Sequence, residues 1–141
     1  MKHIAIVYYS GTGNTEALAN AVIEGVNSCN GKTTIIQAGL FSADMLDSYD
    51  AFAFGCPAMG SEGLEDEVFE PMFESLLPHL SGRKVVLFGS YGWGDGQWME
   101  DWKQTTLEAK AHLVAPPVIA QDDPDETALA SAHQLGVALC S

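Results

Sequence analysis

Apolar runs of strand length alternate along this chain with longer stretches whose apolar positions recur at helical spacing. "HIAIVYY" (3–9) is almost continuously apolar and β-branched, the pattern of a strand covered on both faces. "NTEALANAVIEGVNS" (14–28) follows, with Leu18, Ala21, Val22, Gly25 and Val26 on one helical face. "TTIIQA" (33–38) predicts a less apolar strand at an edge. "AFAFG" (51–55) and "KVVLFGS" (84–90) predict a third and a fourth. "VIA" (118–120) marks a fifth, and Pro116 and Pro117 at its start suit an edge better than a centre.

Helices fall between them. "PMFESLLPHL" predicts a helix starting at Pro71 and stopped by Pro78. "GQWMEDWKQTTLEAKAH" (96–112) pairs Trp98 with Trp102 at i, i+4, a face assigned to packing. In "DPDETALASAHQLGVALC", Asp123 as N-cap, Pro124 and Glu126 predict a capping box, with Leu129, Ala132, Leu135 and Leu139 lining one side. Strands alternating with helices imply an α/β fold, a parallel sheet with right-handed crossovers, in one domain over residues 1–141. Ligands of such sheets lie at the carboxyl ends of central strands, which nominates the loops 10–15, 56–63 and 90–96.

The first of these, "SGTGNT" (10–15), holds glycines, hydroxyls and an amide, and no charge. Gly11 and Gly13 permit close backbone approach, while Ser10, Thr12, Asn14 and Thr15 add donors at a helix N-terminus. Such a loop suits an anion held without cations; read alone, it suits equally a polar turn whose Thr12 or Asn14 caps the helix. The lysine of a P-loop is missing, and Glu16 stands where a dinucleotide fingerprint needs glycine. The first and third strands run into Tyr8-Tyr9-Ser10 and Gly55-Cys56, not the carboxylate cluster of a response regulator. Glu62 occupies the position where a cysteine phosphatase needs arginine, so Cys56 is expected to be a buried structural thiol.

In "CPAMGSEGLEDE" (56–67), Met59-Gly60-Ser61-Glu62 predicts a turn whose Gly60–Ser61 peptide can take two orientations. "GSYGWGDG" (89–96) sets Trp93 between two glycines, a platform geometry; with Met59 it can clamp a flat ring from both faces.

Charge narrows the picture. The net charge is −13, from 19 acidic against 6 basic side chains. That field disfavours nucleic acid and anionic lipid and steers basic partners. Cys29, Cys56 and Cys140 are odd in number and lack CxxC or metal spacing, which predicts free thiols in a reducing, cytoplasmic compartment and no metal site. Neither a signal peptide nor a membrane span is expected.

A phosphate cradle, two ring clamps and an acidic surface describe an FMN site, and here a resemblance enters. "SGTGNT" after strand one, "AMGSE" after strand three and "GSYGWGDG" after strand four resemble the flavodoxins, specifically the short-chain type, over the whole chain. The resemblance implies a doubly wound sheet of five strands in the order 2-1-3-4-5 with helices on both faces. It implies that Ser10, Gly11, Thr12, Gly13, Asn14 and Thr15 bind the FMN phosphate and that Met59 and Trp93 flank the isoalloxazine. Glu62 would accept from the flavin N3–H, and the Gly60 carbonyl would swing toward N5 on reduction, turning the peptide it shares with Ser61. Backbone around Ala58, Ser90, Tyr91, Gly92 and Gly94 would line the ring and ribityl chain. Methionine at 59 matches the short-chain subset, and Tyr9 stands where relatives often carry tryptophan.

The implied function is a low-potential one-electron carrier, a monomer shuttling electrons between redox proteins, rather than an enzyme. One uncompensated charge about 10 Å from the ring disfavours reduction by roughly 1.7 kcal/mol, or about 70 mV. The acidic stretch Glu62, Glu65, Asp66, Glu67, Glu70 and Glu74 is expected to dock basic-faced partners. The alternative is an FMN-dependent NAD(P)H:quinone-type reductase on the same fold.

Overall fold

A computed structural model describes residues 2–9, 13–58, 63–92 and 94–140. The strands are β1 (His3–Tyr8), β2 (Lys32–Gln37), β3 (Ala51–Gly55), β4 (Lys84–Tyr91), β5 (His112–Leu113) and β6 (Val118–Gln121). The helices are α1 (Asn14–Ser28), α2 (Phe69–Leu76), α3 (Gln97–Glu108) and α4 (Glu126–Leu139). The sheet is parallel in the order β2-β1-β3-β4-β5, with β6 also on β4. The expected fifth strand, 118–120, is β6, and β5 is a further short piece on β4, separated from it where Val114, Ala115, Pro116 and Pro117 leave the sheet. Proline lacks the N–H a ladder needs, so the break falls where the sequence forbids pairing.

Alternation along each strand sorts the core into two layers. Ile4, Ile6, Ala51, Ala53, Val86 and Phe88 face α1 and α4; Ala5, Val7, Phe52, Phe54, Val85 and Leu87 face α2 and α3. The second layer is aromatic. Phe54 packs edge-on against Phe73, and Phe69 against Trp102, while Trp98 stacks on Trp102 as its packing assignment expected. The first layer is small and aliphatic, which lets α1 and α4 close on each other. A Cβ on Gly136 would meet the Val26 nitrogen at 2.7 Å, and one on Gly25 would run into the His133 backbone, so both positions need glycine.

Several boundaries differ from those expected. α2 begins at Phe69 rather than Pro71, because the Glu65 carboxylate accepts from the Glu67, Val68 and Phe69 N–H groups at 2.9, 2.7 and 2.8 Å. Pro71 then falls in the first turn, where its missing N–H costs nothing. Pro78 does end the element, inside a single 3-10 turn, Leu77–His79. α3 stops at Glu108 rather than 112, since Lys110 turns left-handed at φ 65°. α4 is capped by Asp125, whose Oδ1 accepts from Ala128 N–H at 2.8 Å, not by Asp123. The left-handed Asp122 (φ 56°) turns the chain out of β6 first, which postpones the helix. Cys29 and Cys140 are not free thiols: they are joined in a disulfide, while Cys56 is free and buried. Spacing could not reveal the pair, because 111 residues separate its members. Among the described residues no helix is long and apolar enough to cross a membrane.

Candidate functional site

The three nominated loops follow β1, β3 and β4, at the carboxyl ends of adjacent central strands. Gly13, Asn14, Thr15, Ala58, Ser90, Tyr91, Gly92 and Gly94 are described there. Ser10, Gly11, Thr12, Met59, Gly60, Ser61, Glu62 and Trp93 lie outside the described residues.

Ser90 is where the loops meet. Its hydroxyl shares a 2.9 Å hydrogen bond with Thr15, tying the first turn of α1 to the end of β4. Its carbonyl accepts from Ala58 N–H at 2.8 Å, tying down the segment after β3. Thr15 and Ser90 are buried, so neither hydroxyl has water as an alternative partner. The start of α1 is thereby fixed in position against two other strands.

The helix starts use different groups. Glu65 supplies carboxylate oxygens at α2, Asp95 accepts from Gln97 N–H at 3.1 Å at α3, and Asp125 caps α4. At α1 the N-cap is Gly13, left-handed at φ 93°, with no side-chain cap and open space where a Cβ would point. An N-terminus with donors and a helix dipole fits a phosphate, and the one carboxylate of the first turn, Glu16, is engaged by the Tyr8 hydroxyl. The donor set of the loop therefore fits FMN as the group held here. Nearby, Tyr8 donates to Glu16 at 3.2 Å; burial and that carboxylate raise its pKa.

The second loop is clasped at its base. The Glu65 N–H approaches Cys56 Sγ at 3.4 Å, closing the chain from 56 to 65. Burial pushes the Cys56 thiol up to about 12, with Glu65 and Glu70 adding to the rise against the Glu65 N–H. It is inert, as its reading as a structural thiol expected. Burial works to raise the Glu65 carboxyl, but the three N–H donors outweigh it and hold it below its usual value. This corrects the docking cluster: Glu65 is 6% exposed and turned inward, while Asp66, Glu67 and Glu74 remain exposed. Its role as a clasp was missed. The signal was there in "EDEVFEPMF", an acid four residues ahead of an apolar helix start.

The third loop is braced from the edge. Tyr91 carbonyl accepts from Asp122 N–H at 2.7 Å. Gly94 and Gly96 are left-handed at φ 92° and 87°, and a Cβ at 96 would meet Ile119 at 2.9 Å. These conformations turn the chain into α3.

Beside this site, a cleft between α2 and α3 has Trp98 and Trp102 among its walls, with Glu70, Glu74 and Asp101. Five of the six basic side chains, Lys2, Lys32, Arg83, Lys84 and Lys110, stand at the amino ends of the strands, at the opposite end of the sheet, where Arg83 pairs with Asp47 at 2.7 Å; the sixth, Lys103, lies midway along α3.

Comparison with known proteins is consistent across sequence and structure. The family model described as Flavodoxin matches residues 6–135. The flavodoxin of Megasphaera elsdenii is 47% identical over 82% of this chain and 85% of its own. That of Clostridium beijerinckii is 43% identical over 86% and 88%. The solution structure of the two-electron reduced Megasphaera elsdenii flavodoxin superposes with a TM-score of 0.89 at 44% identity, covering 97% of this chain and 98% of that one.

Proposed function

Since the chain belongs to the flavodoxin family, we propose that its three loops hold FMN through residues 10–15, 58–62 and 90–94. Flavodoxins bind FMN non-covalently and transfer electrons between redox partners; they are electron-transfer proteins, not enzymes. The family relationship favours this carrier over the NAD(P)H:quinone-type reductase alternative.

Bound FMN supplies the one-electron chemistry; the chain supplies position and field. The observation that carries the assignment of the phosphate end is the left-handed Gly13 at the start of α1, a helix tied by Thr15 to Ser90. The N–H groups of the first turn of α1, with the Ser10, Thr12, Asn14 and Thr15 side chains, would take the phosphate. Ala58, Tyr91, Gly92 and Gly94 would line the ring and ribityl chain, and Met59 and Trp93 would cover the ring faces. Glu62 would accept at its polar edge, and the Gly60–Ser61 peptide would offer its carbonyl to the ring. With five of the six basic side chains at the far end of the sheet and carboxylates near, negative charge arriving at the ring is opposed, which supports a low potential.

Basic-faced partners dock on Asp66, Glu67, Glu70 and Glu74 beside the loops, and the protein works as a monomer in the cytoplasm. The test is an anaerobic potentiometric titration of the FMN-loaded protein. Two resolved one-electron potentials, both low, and negligible direct reduction by NAD(P)H are expected. Rapid reduction by NAD(P)H would move the protein to the reductase class, and failure to bind FMN would remove both readings.

A further inference from the structure

Far from the loops, at the amino ends of the strands, the C-caps of α1 and α4 come together as Cys29 and Cys140, with Cα atoms 6.5 Å apart. The two sulfurs differ in access. Cys29 is exposed and borders a shallow depression with Lys2, Asn30 and Asp50. Cys140 is half-buried, and the backbone folds over it. Asn30 turns left-handed at φ 61°, Gly31 N–H bonds Val26 carbonyl at 3.0 Å, and a Cβ at Gly31 would reach Cys140 Sγ at 3.1 Å. α1 and α4 also interlock at Gly25 and Gly136, a contact separate from the bond.

We propose that Cys29 and Cys140 form a reversible dithiol–disulfide couple, a second two-electron centre that exchanges with protein dithiols and low-molecular-weight disulfides. A disulfide with one sulfur exposed at an element end belongs with the accessible, labile class. In the reducing direction, a thiolate of an incoming dithiol attacks Cys29 Sγ, the Cys29–Cys140 bond breaks, and Cys140 leaves as thiolate and takes a proton. The second thiol of the reductant then attacks its own sulfur in the mixed disulfide and releases Cys29. The dithiol ends as a disulfide, and two electrons and two protons have passed to this chain. In the oxidising direction, glutathione disulfide forms a mixed disulfide on Cys29, which Cys140 resolves, releasing two glutathione molecules in all.

The test uses the full FMN-loaded chain, equilibrated in glutathione mixtures or with a CxxC dithiol reductant, then acid-quenched, denatured, labelled with maleimide and mapped by mass spectrometry. Label confined to Cys56 at the oxidising end, and on Cys29, Cys56 and Cys140 at the reducing end, with interconversion in both directions, is expected. Label on all three under every mixture, or on Cys56 alone in native protein despite excess dithiol, would overturn the proposal. In native protein, Cys29 of Cys140→Ser should react with glutathione disulfide about tenfold faster than Cys140 of Cys29→Ser. The reverse order would overturn the assigned direction of attack. Retained FMN absorbance in both variants shows that they fold.

Discussion

Two buried hydroxyls and one buried carboxylate hold the site's framework, and each can be tested singly. Replacing Thr15 with valine keeps the shape but leaves the Ser90 hydroxyl, 4% exposed, without its partner. A loss of about 1–3 kcal/mol is expected in denaturant unfolding, together with weaker FMN binding read by flavin fluorescence. A loss of stability with unchanged affinity would separate Thr15 from the phosphate cradle. Glu65 makes a prediction in pH. Its folded carboxyl lies below the usual 4.5, so its contribution is complete above that value and disappears as pH falls through the lower folded one. Glu65→Gln should cost about 1–2 kcal/mol at neutral pH and should flatten the acid limb of the stability curve, because the amide does not titrate there.

At the scale of elements, the strands and α1 were legible because their signals are local. "AFAFG" and "NTEALANAVIEGVNS" coincide with β3 and α1 residue for residue. The starts of α2 and α4 were misplaced because each is set by one acid among several. Glu65 and Asp125 accept the N–H groups, while Pro71 and Asp123 carry the more conspicuous sequence signals. The loops were found by topology, which needs only strand order and direction. The clasp from Cys56 to Glu65 was not, because it depends on which way a side chain turns. The α1–α4 contact offers a prediction here. Gly136→Ala would place its Cβ against the Val22 carbonyl and Val26 nitrogen, backbone atoms that yield little. It should lower stability by about 1–3 kcal/mol, measured as a lower melting temperature, with the flavin spectrum retained.

The whole molecule is polar in its charges. Five of the six cations, all but Lys103 in α3, gather at one end of the sheet, and the site lies at the other near carboxylates. A basic partner is therefore turned toward the loops before contact. Reversing Glu67 and Glu74 to lysine should slow its association about tenfold at low salt, with the difference shrinking above 0.5 M as screening grows. An equal effect at all salt concentrations would place those residues within the contact rather than in the steering field.

The split edge of the sheet has its own bearing on how this protein fails. A strand from a second molecule adding beside β5 and β6 meets a two-residue edge, then a gap containing Pro116 and Pro117, then four more residues. Templated growth of a cross-strand aggregate is blocked there by missing donors. The opposite edge, β2, is unbroken over six residues and shows Ile35 to solvent at 55%. Fibrillation at elevated temperature should therefore nucleate on β2. Ile35→Lys should lengthen the lag phase in a thioflavin assay several-fold, whereas Pro117→Thr alone should shorten it by restoring a donor to the guarded side.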